Sequence, residues 1–132
     1  DNNQTGSNMA YCFTSIQGFS KFGSYTGNGN TNGTFVYTGF RPSLVIVKIS
    51  SGTTGSWCTY SSKVLGYNDD NDEFLANDPG VPGVGNNISI YSNGFKMLKT
   101  TAETNGSGNS FVYMAWAEAP FVNSKGVPCN AR

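Results

Sequence analysis

The sequence predicts an all-β chain, a single-domain antiparallel β-sandwich of jelly-roll or lectin-like kind, on three observations. Gly accounts for 17 of the 132 residues, and Asn, Ser and Thr together exceed 40, so turn formers recur throughout. The apolar residues are mostly Val, Ile, Phe and Tyr, which suit a half-buried pleated surface. Short alternating segments return at roughly 8 to 12 residue intervals between Gly and Asn clusters, the spacing of a sandwich. No segment shows helical periodicity, and the length suits one core better than two.

In chain order, strands are expected over 8–16, 19–25, 34–39, 43–50, 56–61, 87–92, 94–99 and 110–118. Thr26 to Gly33 alternates Gly and Asn, residues that tolerate positive φ, and reads as a loop. Leu44 to Val47 and Phe111 to Ala117 are nearly continuous apolar runs, as expected of strands in the middle of a sheet or covered by another element on both faces, and should form the core pair. Ser92-Asn93-Gly94 between Ile90 and Phe95 reads as a tight type I′ hairpin. Segment 66–87, with its acidic start, Pro79, Pro82 and glycines, is the longest loop and cannot sustain regular structure for long.

The first segment resembles the last. Ala10-Tyr11-Cys12-Phe13 lies over Tyr113-Met114-Ala115-Trp116, each run following a Ser/Asn stretch and closing on a large aromatic. A closing strand that occurs twice suggests an array in which each unit completes a surface its neighbour cannot bury alone, with chance likeness as the competing reading. Two parts are therefore expected, an N-terminal strand segment 1–16 donated to a neighbour and a sandwich body 17–132. A start at Asp1 without Met fits a processed product or a piece of something longer.

Charge narrows the partners. Net charge is zero with 12% charged residues, so there is no basic face to displace counterions from a nucleic acid. The longest aliphatic run, Leu44 to Val47, is far too short to span a bilayer. Cys12, Cys58 and Cys129 lack paired zinc spacing and His is absent, which argues against a transition-metal centre. One bridge, Cys12 to Cys129, and three free thiols are both open readings. Asp69, Asp70, Asp72 and Glu73 offer the hard oxygens that suit Ca²⁺ without the full EF-hand pattern, and a solvated acidic loop is the competing reading.

Trp57, Tyr60, Tyr67 and Tyr91 could stack on sugar rings while Asn and Asp bond the hydroxyls, although strand aromatics more often serve the core. Sequons at Asn3, Asn32, Asn87 and Asn105 fall near turns or strand ends and are candidate N-glycosylation sites. Arg41 is expected to pair with Glu118 or lie in solvent, with Pro42 fixing a bend. Without His the usual general base is missing, and nothing brings Glu103 and Glu118 together as a glycosidase pair, so no enzyme is expected.

Tyr11-Cys12-Phe13, the run Gly18 to Gly29, Phe35 to Pro42, Ser92-Asn93-Gly94-Phe95-Lys96, Ala115 to Phe121 and the ending Asn130-Ala131-Arg132 resemble an uncharacterised β-domain family frequent in phage tail-fibre and other virion-associated proteins. The resemblance spans essentially the whole chain. It implies a jelly-roll or lectin-like sandwich, often in tandem, in an extracellular fibre or on a virion surface, with no activity to carry over. Family members usually carry an acid two residues past the Tyr of a Trp strand, where this chain has Ser62.

Two functions follow as expectations. One is a structural subunit that polymerises with copies of itself, Met9, Ala10, Tyr11, Cys12 and Phe13 adding as a strand to the next subunit's sheet edge. The other is a lectin-like module that takes cell-surface glycans through the 26–33 and 66–87 loops.

Overall fold

The computed structural model describes residues 10–52, 54–64, 72–80, 83, 85 and 87–119. Eight strands follow in order: β1 Ser20–Thr26, β2 Phe35–Tyr37, β3 Pro42–Ile49, β4 Trp57–Ser61, β5 Glu73–Leu75, β6 Ile88–Tyr91, β7 Gly94–Met97 and β8 Ser110–Ala117. No described residue is helical. The strands form two antiparallel sheets, one of five in the order β1-β8-β3-β4-β5 and one of three in the order β2-β7-β6. This is the all-β sandwich that the composition and spacing predict.

The two apolar runs meet as expected. β3 and β8 lie side by side in the middle of the five-stranded sheet, with Val45 opposite Ala115 and Val47 opposite Tyr113. These four face inward and are buried, with Ile49, Phe111, Cys58 and Tyr60 on the same face. The three-stranded sheet supplies Val36, Ile88, Ile90, Phe95 and Met97 against them. Aromatic edges lock the layers: Phe95 meets Tyr113 edge-on at 5.5 Å and Tyr25 at 6.4 Å.

The β6–β7 hairpin turns through Ser92 and Asn93, with Tyr91 opposite Gly94. Gly94 itself opens β7 and is needed for a different reason: a Cβ there would lie 2.2 Å from the Val36 carbonyl oxygen and 2.8 Å from the Phe35 ring. Because the nearer obstacle is backbone, Gly94→Ala should cost about 2 kcal/mol in urea denaturation through overpacking. An unchanged midpoint would mean that β2 can back away from β7.

Two expectations on the strands need correction. Residues 10–15 form no strand; the predicted 8–16 element is represented only by an isolated bridge from Ile16 to Ser20, and residues 1–9 lie outside the described ones. The chain turns at 17–19 straight into β1, and segment 10–15 passes the outer edge of β1 through the Ser15 and Ser20 hydroxyls without a main-chain ladder. Conversely, the 66–87 loop contains β5, whose Glu73, Phe74 and Leu75 pair with Tyr60, Thr59 and Cys58 and extend the sheet by one strand. Three residues between acidic and Pro-rich stretches are too few to show a period of two.

Candidate functional site

The N-terminal segment meets the body at the outer edge of β1. In β1, Ser20, Phe22 and Ser24 stand on the outer face of the five-stranded sheet, opposite Trp116, Met114 and Val112 of β8. Phe13 lies on that face, stacked on Phe22 at 5.6 Å and edge-on to Trp116 at 5.9 Å, while Tyr11 is 77% exposed. Ser15 Oγ accepts the Phe22 N–H at 3.0 Å, and Ser20 Oγ donates to the Thr14 carbonyl at 3.0 Å. Of the predicted assembly residues, Ala10, Tyr11, Cys12 and Phe13 make no main-chain ladder bond among the described residues, and Met9 lies outside them.

The predicted sugar-stacking residues are not brought together. On β4 alternate side chains face opposite ways, so Trp57 sits 39% exposed on the outer face while Tyr60 is fully buried on the inner one, its hydroxyl donating to Glu73 Oε2. Tyr60 is therefore a core residue and cannot stack on a sugar. Tyr67 lies outside the described residues. The exposed aromatics lie elsewhere: Phe35, Tyr37 and Tyr91 share the outer face of the three-stranded sheet.

The sequons also divide. Asn105 is fully buried, and its Nδ2 donates to Asn28 Oδ1, the Asn30 carbonyl and the Lys99 carbonyl at 2.8 to 3.1 Å. Its Oδ1 accepts the Asn28 N–H and its carbonyl accepts the Gly29 N–H. A glycan on that nitrogen would displace the whole knot, so the Asn105 expectation is corrected to a structural role. Asn87 is buried as well, at 5% exposure, which removes it from the accessible candidates. Asn32 is exposed and accepts the Lys96 ammonium through Oδ1; Asn3 lies outside the described residues.

The acidic run does not converge as a Ca²⁺ loop among the described residues. Glu73 points inward from β5, Asp72 Oδ1 accepts the Gly85 N–H at 3.3 Å, and Asp69 and Asp70 lie outside the described residues. Glu73 instead joins Cys58 and Glu103, whose donor atoms all lie within 4.8 Å of one another. These are the described residues close enough to share a cation. Burial, then the charges of Glu73 and Glu103, push the Cys58 thiol up to about 12, so it is protonated at neutral pH and would have to lose that proton to ligate a metal. Nothing in the spacing of positions 58, 73 and 103 announces this meeting; it follows from the β4–β5 register and from Glu103 accepting the Ser56 N–H.

Arg41 and Lys63 both pair with Glu118 at 2.8 Å, which fulfils the pairing alternative for Arg41. The Lys63 hydrogen bond, helped by Arg41, holds the Glu118 carboxyl below its usual range. Glu103 and Glu118 thus belong to separate clusters. Cys12 and Cys58 are free thiols, exposed and buried respectively, and Cys129 lies outside the described residues. No helix among the described residues is long and apolar enough to cross a membrane.

Two antiparallel sheets with an aromatic core and an N-terminal segment laid against one sheet edge define an all-β sandwich domain. Residues 1–120 match a domain of unknown function, DUF7483, and the chain belongs to that family. No curated protein and no solved structure matched the chain.

Proposed function

We propose that the chain is a structural subunit of an extracellular, phage-fibre-like filament, joined by addition of its N-terminal segment to the β1 edge of the next subunit. The observation that carries this reading is the state of that edge. β1 pairs with β8 on one side alone. On the other side the Phe22 N–H is taken by a side-chain hydroxyl, Ser15, instead of a ladder carbonyl. Ser24, whose main chain points the same way by the alternation of an antiparallel ladder, has no partner among the described residues. The edge is taken at both ends, by the Ile16 main chain on Ser20 and by the Thr34 hydroxyl on the Thr26 carbonyl, and the stretch between them is a template for another strand.

Segment 10–13 has the composition to fill it. Tyr11 and Phe13 alternate with Ala10 and Cys12, and none of the four makes a main-chain bond to its own sheet among the described residues. Phe13 already occupies a seat against Phe22 and Trp116. A neighbour's Phe13 can take that seat by exchange, so the aromatic contacts are conserved between monomer and polymer. The net gain is then the ladder bonds along β1 and the burial of Tyr11.

The test compares the full chain with a deletion of residues 1–15, using light scattering and negative-stain electron microscopy, with circular dichroism to report folding. Filaments from the full chain and compact, folded monomers from the deletion are expected. Identical particles from both would sink strand addition.

A further inference from the structure

We infer that the cleft between the start of β1 and the end of β2 is a binding site for a carboxylated pyranose, an acidic sugar. The cleft has a volume of about 310 Å³ and is walled by Tyr37, Thr38 and Gly39 on one side and by Ser15, Gln17 and Lys21 on the other. That is the lower end of the size range of small-molecule sites, about 300 to 1,000 Å³, and enough for a single ring.

Its lining residues fall into two groups. Thr38 donates to the Phe40 carbonyl, Ser20 donates to the Thr14 carbonyl, and Ser15 accepts the Phe22 N–H, so these hydroxyls hold the walls in place. Gln17, Lys21 and the Tyr37 hydroxyl have no side-chain partner among the described residues. Lys21 stands out in charge. Arg41 and Lys63 pair with Glu118, Lys48 donates to the Gly55 carbonyl and Lys96 to Asn32, whereas no such partner stands against Lys21 among the described residues. The cleft therefore holds a positive charge and an amide unpaired among the described residues, with an exposed aromatic ring.

The ring is positioned. Gly39 has φ of 85°, and a Cβ there would meet the Tyr37 ring at 3.7 to 3.9 Å, so the ring lies beside the glycine, and Tyr37 is 64% exposed. An aromatic face packs against the apolar C–H side of a pyranose. One ammonium is a point charge matched to one carboxylate, whereas a phosphate group calls for several convergent N–H donors. Gln17 and the Tyr37 hydroxyl then read the ring hydroxyls. The combination selects a singly charged sugar ring over a neutral sugar or a bare anion.

This site does not depend on strand addition, and it is tested on the full chain by following amide shifts in NMR titrations. Methyl β-glucuronide and N-acetylneuraminic acid are the acidic probes, and methyl β-glucoside is the neutral control. At least one acidic probe should shift the amides of residues 15–21 and 37–39, and bind about tenfold more tightly than the neutral one. Lys21→Gln should erase that preference, and Tyr37→Ala should weaken acidic and neutral sugars alike. Both side chains are exposed, so both variants should keep the wild-type spectrum elsewhere. Failure of both acids to bind, equal binding of acidic and neutral sugars by the unaltered chain, or an acid preference that survives in Lys21→Gln would each overturn the inference.

Discussion

Asn105→Asp should lower the unfolding free energy by about 3 kcal/mol although it changes a single atom. The substitution keeps the shape of the side chain and the Oδ1 acceptor that serves the Asn28 N–H. It replaces the Nδ2 donor, on a side chain with no exposure, by a carboxyl oxygen that faces Asn28 Oδ1 and the carbonyls of Asn30 and Lys99 and is charged when ionised. An unsatisfied buried polar group costs about 1 to 3 kcal/mol, more when charged, and the new carboxyl oxygen belongs to the one fully buried side chain of the cluster, which sets the loss at the upper end of that range. Asn105 binds three separate chain stretches to one point, so its loss should also loosen the 26–33 loop, visible as faster amide exchange at Asn28 and Gly29. A loss under about 1 kcal/mol by urea denaturation would show that these groups find other partners.

That residue also marks where the sequence stops being informative. Asn105-Gly106-Ser107 reads as an exposed sequon because local composition says turn, and it is indeed in a turn. Its burial comes from partners 75 and 77 positions away, which no local pattern contains. The same limit explains Tyr60. A period of two says that Trp57 and Tyr60 on β4 face opposite ways, and only the register against β3, Val45 opposite Tyr60, decides which is inside. Composition alone is enough for the apolar runs at β3 and β8: they occupy the centre of the larger sheet, buried on the inner face, while the outer face stays half-buried and Val112 is 41% exposed. The likeness of 10–13 to β8 is a likeness in strand-forming capacity. Capacity does not supply a ladder, and among the described residues that stretch meets the sheet through the Phe13 ring and no main-chain bond. Lys21 and Tyr37 went unnoticed as a pair because each is unremarkable on its own strand; the turn at 17–19 and the Thr38-Gly39 bend bring them to one cleft.

The second large effect is alkaline. Burial, with the Glu73 and Glu103 charges behind it, holds the Cys58 thiol at about 12 against an ordinary 9.0. Burial likewise raises the phenols of Tyr25 and Tyr60 well above their ordinary 10.0, with Glu73 adding to the effect on Tyr60. In each case the folded state keeps a proton that the unfolded chain releases. The stabilisation is therefore whole below about pH 9 and is lost as pH rises toward the folded values. The thiol alone removes about 1.4 kcal/mol per pH unit above pH 9, and each phenol adds about the same above pH 10, so about 5 kcal/mol is gone by about pH 11. That is a large share of the stability of an ordinary domain, about 5 to 15 kcal/mol, and should bring unfolding within reach of low urea. Between pH 9 and 10 Cys58 is the main contributor of the three, which isolates it. In Cys58→Ala the slope over that interval should flatten while the steeper fall above pH 10 persists. Urea midpoints that stay level from pH 8 to 11 would mean that these groups ionise in place, and an unchanged slope in Cys58→Ala would reassign the first step to another residue.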